Sequence, residues 1–301
     1  MPPKVTIGLP VYNGEPFLEE ALDAIVHQSF HDFELIISDN ASTDNTEEIC
    51  RRYAEQHPNI RYIRQPKNQG AAQNYNIVFE AATGEYFRWA AADDLIAPTY
   101  LETCAAILDQ QPEVVVCYPR SMLIDEEGHE LRQVDDRMSR PEAQPAARIQ
   151  KFRWGACHPV FGLIRTEALR QTDVIGAYPS SDVVLLFQLL LLGQFHEVPE
   201  VLFYRRTHPA SSVRANPDMK SRMRWFAPGQ SGTLYLPNWH RVYKFIQAVN
   251  RTPMSNRERA KCYRALTQRY LFHPKWMVKD IALAAQEFVG ASPLEKRTDL
   301  V

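Results

Sequence analysis

The chain has 301 residues, of which 45% are hydrophobic and 23% are charged. These fractions are typical of a folded globular protein and exclude an intrinsically disordered chain, and the length fits one large α/β domain or two modest ones. The formal net charge is only −2, yet residues 205–275 hold 15 Lys and Arg against two acids, whereas residues 1–204 hold 16 against 30. A basic segment joined to an acidic one points to an anionic partner.

The first 120 residues alternate between two kinds of hydrophobic pattern. Alternation of strands with helices of 10–15 residues predicts βαβ units and a mostly parallel sheet. Strand patterns occupy residues 5–9, 34–38, 60–64, 85–90 and 114–118, and helix patterns occupy residues 16–28, 44–53, 70–82 and 99–110.

The rest of the chain is less regular. Residues 120–150 are polar and contain proline, and we predict a loop there. A helix is predicted at 181–192 and a strand at 197–204. Beyond residue 215, helical patterns cover residues 239–249, 257–272 and 277–289.

The cysteines and the apolar runs of the sequence indicate the cellular compartment of the protein. The five cysteines are odd in number and show no metal-type spacing, so we expect buried free thiols in a reducing compartment. The N-terminal residues show no signal-peptide pattern, and the longest apolar run, residues 183–192, is too short to cross a bilayer. A cytoplasmic protein is the expectation.

Polar clusters follow three of the predicted strands. PVYNGE occupies residues 10–15, DNASTD residues 39–44 and AADD residues 91–94. Ligands of such sheets bind at the carboxyl ends of the strands, so one ligand could touch all three clusters. A nucleotide diphosphate would suit them, with its base stacked on Tyr12, a base N–H donated to Asp39, and a cation held by Asp93. The alternative is that these acids only cap turns and helices.

The same residues carry a family resemblance. Residues 6–46, TIGLPVYNGEPFLEEALDAIVHQSFHDFELIISDNASTDNT, resemble the N-terminal signature of the family 2 glycosyltransferases, and KNQG at 67–70, TGEY at 83–86 and ADD at 92–94 continue the match. The resemblance implies an α/β, Rossmann-like GT-A fold, with a mostly parallel central sheet flanked by helices, over residues 1–214. Residues 215–301 would be a basic, mainly helical C-terminal extension that packs on this catalytic domain.

The resemblance also implies which residues bind the donor. The expected nucleotide-sugar contacts are Pro10, Tyr12, Asn13, Glu15, Asp39, Asn40, Asn68, Gly70, Asn74, Ala92 and Asp93. Asp93 would be the metal-binding residue of the family's DxD motif. This sequence departs from the motif at its first position, which is Ala91, and the departure puts donor contacts in doubt more than metal binding.

Later motifs of the family have counterparts here. Asp182, at the start of a helix pattern, takes the place of the general base, and Ser181 replaces the usual Glu; the alternative is an acid placed for the helix dipole. His208 would complete the metal site, with the alternative of a loop histidine beside a proline. Two further expectations are diphosphate contacts from Arg205 and Arg206, and an acceptor site at Trp154 and His158, which could equally be a packed turn.

These expectations describe an enzyme, a hexosyltransferase of the inverting kind. It would move a sugar from a nucleotide-diphosphate sugar, with UDP favoured over GDP and dTDP, to a glycan or lipid-linked acceptor, with Mn²⁺ or Mg²⁺ as cofactor. The alternatives are a catalytically inactive nucleotide-sugar-binding relative and a nucleotidyltransferase. A nicotinamide dehydrogenase is disfavoured because no GxGxxG follows the first strand.

The basic C-terminal segment suggests a further partner. Its Lys and Arg side chains are interleaved with aromatic residues, a composition that suits peripheral contact with an anionic membrane, at the inner membrane face. A solvated basic surface on packed helices is the alternative. No RNA- or DNA-binding motif is present, so nucleic acid is not expected as a partner.

Overall fold

The computed structural model describes residues 2–153, 158–229, 235–270, 275 and 277–282. The strands are β1 Val5–Val11, β2 Phe33–Asp39, β3 Ile60–Arg64, β4 Tyr86–Trp89, β5 Leu95–Ile96, β6 Val114–Ile124, β7 Glu130–Val134, β8 Leu163–Arg165 and β9 Gln194–Arg206. The helices are α1 Glu15–Val26, α2 Thr46–Gln56, α3 Ala71–Glu80, α4 Tyr100–Gln110, α5 Pro145–Lys151, α6 Thr166–Arg170, α7 Ser181–Leu192, α8 Ser212–Ala215, α9 Met219–Phe226, α10 Pro237–Arg251 and α11 Asn256–Tyr270, with a 3₁₀ turn at His158–Phe161.

The described strands form one nine-stranded sheet in the order β3-β2-β1-β4-β8-β6-β9-β5, and β7 pairs with the outer part of β6. β1, β2, β3 and β4 are mutually parallel, as predicted from their alternation with helices. The antiparallel members are the short strands β5, β7 and β8. β6 and β9 are also parallel to each other. The polar segments discussed below follow the carboxyl ends of β1, β2, β4 and β9.

Three strands of the parallel half of the sheet, β1, β2 and β4, are buried on both faces, whereas the edge strand β3 is buried only at Ile60. Every residue of β1 is buried, because α1 and α2 cover one face and α3 the other. Strands with two covered faces need nearly continuous apolar sequence, which is the pattern that made them recognisable. α7 is likewise buried at ten of its twelve positions, since it runs through the centre of the helical side of the molecule.

The prediction of a loop over residues 120–150 was wrong. β6 continues to Ile124, β7 pairs antiparallel with it, and α5 begins at Pro145. β7 is an exposed edge strand, so its residues lack the apolar alternation that identifies a half-buried strand. α5 is only seven residues long, too short for a helical period to show.

The C-terminal helices share a core with the sheet-bearing part of the chain. α10 packs on α7, where the Phe245 ring stacks on Phe187 at a centroid distance of 4.0 Å, and Phe152 meets both rings edge-on. α11 packs on α5. The cysteines that the structure describes, Cys50, Cys104, Cys117 and Cys262, are free and buried, as expected.

Candidate active site

Hydrogen bonds of side chains join the loop after β1 to the loop after β2. The Asn13 side-chain oxygen accepts from the backbone N–H of Thr43 at 2.9 Å, and Ser42 Oγ accepts from the backbone N–H of Asn13 at 2.9 Å. Glu15 accepts from both the backbone and the side chain of Asn45. Asn13 adopts a positive φ of 51°, a conformation that Asn tolerates and most residues avoid. Tyr12, which precedes Asn13, is 49% exposed.

A second set of polar groups joins the loop after β2 to the loop before α3. Asn40 Nδ2 donates to Asn68 Oδ1 at 3.0 Å, and Asn68 Oδ1 also accepts from the backbone N–H of Gly70. Gly70 has a φ of +86°, and a Cβ at this position would lie 2.6 Å from the carbonyl oxygen of Phe226 and would also collide with Pro228. The segment that ends α9 therefore packs directly against this loop, and only glycine fits there.

Five of the predicted donor contacts are buried, namely Pro10, Asp39, Asn40, Gly70 and Asn74, and the side chains of Asp39, Asn40 and Asn74 are already hydrogen-bonded. Asn74 Nδ2 donates to the carbonyls of Ser38 and Val11, and Pro10 lies inside β1. The Asp39 carboxylate is fully buried and accepts from the Tyr62 hydroxyl, the Arg64 guanidinium and the Ser42 amide. Asp39 thus orders the end of β2 and the Arg64 side chain, and its contact with a base stays a prediction.

Asp93 and His208 meet at the end of β4. His208 Nε2 lies 2.9 Å from Asp93 Oδ2, and the His208 ring packs on Phe17 at a centroid distance of 4.7 Å. Adjacent ligands of an octahedral ion with bonds of about 2.1 Å lie ~3.0 Å apart, which is close to the separation of these two atoms. A carboxylate oxygen and an imidazole nitrogen are donors that Mn²⁺ accepts. The residues present therefore fit the predicted divalent ion.

Asp94 supports the same corner of the cleft. Its carboxylate accepts from the backbone N–H of Arg206 at 2.9 Å. Burial, and next the charge of Asp93, raises the pKa of the Asp94 carboxyl well above its usual range. Two adjacent carboxylates at one site favour a bound cation, because a cation relieves their mutual repulsion.

Arg206 lies beneath the site. Its guanidinium donates to Glu20 and to the carbonyls of Asp93, Asp125 and Glu126, and its side chain is 1% exposed. A phosphate contact from Arg206 would require these bonds to break, so the structure favours Arg205 for that role. Arg206 instead fixes the position of Asp93.

Asp182 is in the first turn of α7 and partly buried, after Ser180, which has a left-handed φ of 67°. Burial raises the pKa of the Tyr75 hydroxyl on α3, and the charges of Asp93, Asp94 and Asp182 raise it further while Arg205 lowers it. The role of Asp182 as the general base stays a prediction.

His158 bridges Arg205 and Asp136. Arg205 Nη1 lies 2.8 Å from His158 Nε2, and His158 Nδ1 lies 3.0 and 3.1 Å from the two carboxylate oxygens of Asp136. Trp154, the other residue predicted to bind the acceptor, lies outside the described residues. The contact between His158 and an acceptor stays a prediction.

The predicted residues thus fall into two neighbouring groups on one edge of the sheet. Tyr12, Asn13, Glu15, Asn40, Asn68 and Gly70 form the group beside β1 and β2, and Asp93, Asp182, Arg205 and His208 form the group beside β4 and β9. Sequence reasoning missed Tyr75 and Asp136. The Tyr75 position follows directly on Asn74 in the sequence, whereas Asp136 lies in the segment predicted as a loop and gave no signal.

Comparison with known proteins defines the class. The fold resembles that of TarS 1–349 from S. aureus in complex with UDP-GlcNAc, with a TM-score of 0.64 and 16% identity over 94% of this chain and 81% of that one. It also resembles the mannosyltransferase PcManGT from Pyrobaculum calidifontis in complex with GDP-Man and Mn²⁺, with a TM-score of 0.54 and 19% identity over 98% of this chain and 77% of that one. These likenesses show that the chain has the GT-A fold.

The family follows from the sequence match. Residues 6–172 match the model of glycosyl transferase family 2, and the chain belongs to that family. An uncharacterized glycosyltransferase of Rickettsia felis is 29% identical over 68% of this chain and 34% of its own length, and glycosyltransferase RT0329 of Rickettsia typhi is 34% identical over 70% of this chain and 66% of its own length. The chain thus spans about a third of the first relative and about two thirds of the second.

Proposed function

We propose that this enzyme transfers a sugar, with inversion at the anomeric carbon, from a nucleotide-diphosphate sugar to a glycan or lipid-linked acceptor, in the synthesis of cell-envelope polysaccharide. The observation that carries the proposal is the contact between Asp93 and His208 at the end of β4, with Asp182 and Arg205 beside it. UDP is the favoured nucleotide because of the family resemblance, and the solved relatives hold UDP-GlcNAc and GDP-Man.

The reaction would proceed as a single displacement. The Asp182 carboxylate takes the proton of the acceptor hydroxyl while that oxygen attacks the anomeric carbon. The bond between the anomeric carbon and the diphosphate oxygen breaks, and the nucleoside diphosphate leaves with the electron pair. The charged N–H groups of Arg205 stabilise the diphosphate as it departs.

Asp93 and His208 would hold the divalent cation. When bound, the cation supplies positive charge to the two phosphates of the leaving group. Arg206 keeps Asp93 in place through the hydrogen bond from its guanidinium to the Asp93 carbonyl. Tyr12 would stack on the base at the other end of the cleft, where half of its surface is exposed.

Thermal unfolding tests the donor. Binding of a ligand to the folded state raises stability by RT ln(1 + [L]/Kd), so one nucleotide sugar of a panel should raise Tm above the others. The panel comprises UDP-, GDP- and dTDP-sugars with Mn²⁺ or Mg²⁺, and EDTA should abolish the shift. The Asp93→Asn variant should lose the metal-dependent part, while Asp32→Asn, an exposed acid before β2, should not. No shift with any nucleotide sugar would contradict the proposal.

A membrane contact is the second part of the proposal. Trp239, Tyr243 and Ile246 are exposed on the face of α10 that points away from α7, at spacings of four and three residues. Val278 and Ile281 are exposed on a segment fastened to the start of α10, where Asp280 accepts from the backbone N–H of Asn238 at 2.7 Å. Exposed apolar and basic groups together suit an anionic membrane surface. Among the described helices, none is both long enough and apolar enough to span a bilayer.

A further inference from the structure

Asp136, His158 and Arg205 form a chain of side chains that reaches the proposed diphosphate site. They come from three separate parts of the sequence: the segment after β7, the 3₁₀ turn at His158–Phe161, and the end of β9. Asp136 is buried, with its side chain 3% exposed, and the His158 side chain is 14% exposed. A buried carboxylate is costly unless it is paired, so the imidazole is its stabilising partner here.

The two contacts of His158 fix the position of its ring proton. A guanidinium has only N–H donors, so the His158 Nε2 atom beside Arg205 must accept, and it must carry a lone pair. The Nδ1 atom faces the Asp136 carboxylate, which accepts, so Nδ1 carries the proton. Neutral imidazole in the Nδ1–H tautomer is the state that satisfies both neighbours.

Arg205 and Arg206 differ in their partners. Residues 205 and 206 end β9, and successive side chains of a strand point to opposite faces. Arg206 is bonded to Glu20 and to the Asp93 carbonyl, whereas Arg205 Nη1 lies 2.8 Å from His158 Nε2. A guanidinium has five N–H groups, and His158 takes one of them through Nη1.

We propose that Asp136 and His158 are positioning residues, which hold Arg205 in the orientation that binds the donor diphosphate. This inference rests on the proposed function. A free arginine side chain loses rotamer freedom when it binds a ligand, and an arginine already held by His158 has less freedom to lose. In this role His158 touches Arg205 and not the acceptor, so its loss acts through Arg205.

A double-mutant cycle tests the coupling. The dissociation constant of UDP with Mn²⁺ is measured by calorimetry for the wild type, His158→Ala, Arg205→Ala and the double variant, with GDP in its place if the unfolding panel selects guanine. We expect His158→Ala to weaken UDP binding roughly tenfold and Arg205→Ala by 10- to 100-fold. The double variant should bind no more weakly than Arg205→Ala alone.

Further variants separate positioning from a structural role. His158→Gln should bind nearly as tightly as the wild type, because its side-chain oxygen can accept from Arg205. Binding of uridine, which has no phosphate, should be unchanged in His158→Ala. His129→Ala, which alters an exposed histidine on the β6–β7 turn, is the control. Equal losses from His158→Ala in the wild-type and Arg205→Ala backgrounds would overturn the proposal.

The ring tautomer gives a readout that needs no ligand. Nitrogen NMR of the full chain should show His158 in the Nδ1–H form, and Asp136→Leu or Arg205→Ala should change its nitrogen shifts. The Nε2–H form in the wild type would contradict the positioning role. Failure of the wild type to bind UDP or GDP would instead contradict the proposed function, and the tautomer would still decide whether His158 holds Arg205.

Discussion

Asp182 is an acid in the first turn of a helix that is otherwise almost wholly buried. Its charge, like those of Asp93 and Asp94, adds to the effect of burial in raising the pKa of the Tyr75 hydroxyl. In the proposed reaction Asp182 takes the proton of the acceptor hydroxyl. We therefore expect Asp182→Asn to lower kcat by ~10²–10⁴ while the dissociation constant of the donor stays nearly unchanged.

The matched control for this variant is Glu167→Gln, which removes an exposed acid from the first turn of α6. It changes a helix-dipole interaction of the same kind, worth about 0.3–1 kcal/mol, outside the proposed site. Steady-state kinetics and donor calorimetry measure both effects. Near-normal turnover of Asp182→Asn would show that the base is another residue.

His208 is the nitrogen donor of the proposed metal site. Because its Nε2 already lies 2.9 Å from Asp93 Oδ2, His208→Ala should remove one ligand and leave Asp93 in place. We expect the Mn²⁺ concentration for half-maximal activation to rise at least ~10-fold. Asp125, Glu127 and His129 form another group that could bind a metal ion, in an exposed turn, so His129→Ala is the control. An unchanged Mn²⁺ titration in His208→Ala would argue against ligation.

The sequence allowed a role to be predicted for residues that directly follow the end of a strand. Asp93 was predicted in this way and His208 from the family resemblance, and the structure brings the two side chains together although 115 positions separate them. Asp136 could not be found, because its contact with His158 depends on the path of the β6–β7 hairpin. The burial of Arg206 was equally hidden, since its partner Glu20 lies on α1 and no local pattern links the two.

At the scale of elements, the sequence predicted the strands and helices with a strong period. β1, β2, β4 and α7 are almost wholly buried, so their apolar residues mark them. β5 has two residues and β8 three, too few for any period, and β7 is exposed. These short strands form because they pair with β6, β4 and β9, and the pattern of a single sequence carries no information about such pairing.

The contribution of the packing between α7 and α10 to stability can be tested by removing one aromatic ring. Phe245 is fully buried and stacks on Phe187, so Phe245→Ala should leave a cavity and lower the free energy of unfolding by about 3–5 kcal/mol. Tyr243→Ala is the control on the same helix, because Tyr243 is 55% exposed and its loss should cost within about 0.5 kcal/mol. Urea unfolding measures both. Equal, small losses would mean that α10 contributes little to the core.

At the scale of the whole molecule, the uneven charge is the feature to test. Each well-placed Lys or Arg near an anionic surface contributes roughly 1 kcal/mol, and salt screens this attraction. We expect the protein to sediment with vesicles that contain phosphatidylserine at low salt, and to be released at high salt. Replacement of Trp239 and Tyr243 by Ser should weaken binding more than replacement of the exposed Leu131 on β7. Absence of sedimentation at low salt would remove the membrane proposal.

The packing of Phe226 and Pro228 against Gly70 has a consequence for genetic screens. Two separate segments form the wall of the proposed donor site. The loop that contains Gly70 follows β3, and Phe226 and Pro228 lie at the end of α9. Random mutagenesis scored for loss of donor binding should therefore return two clusters of hits that no motif connects. Hits at Phe226 and Pro228 would then mark the rim of the proposed donor site, although both residues lie outside residues 6–172, which match the family model.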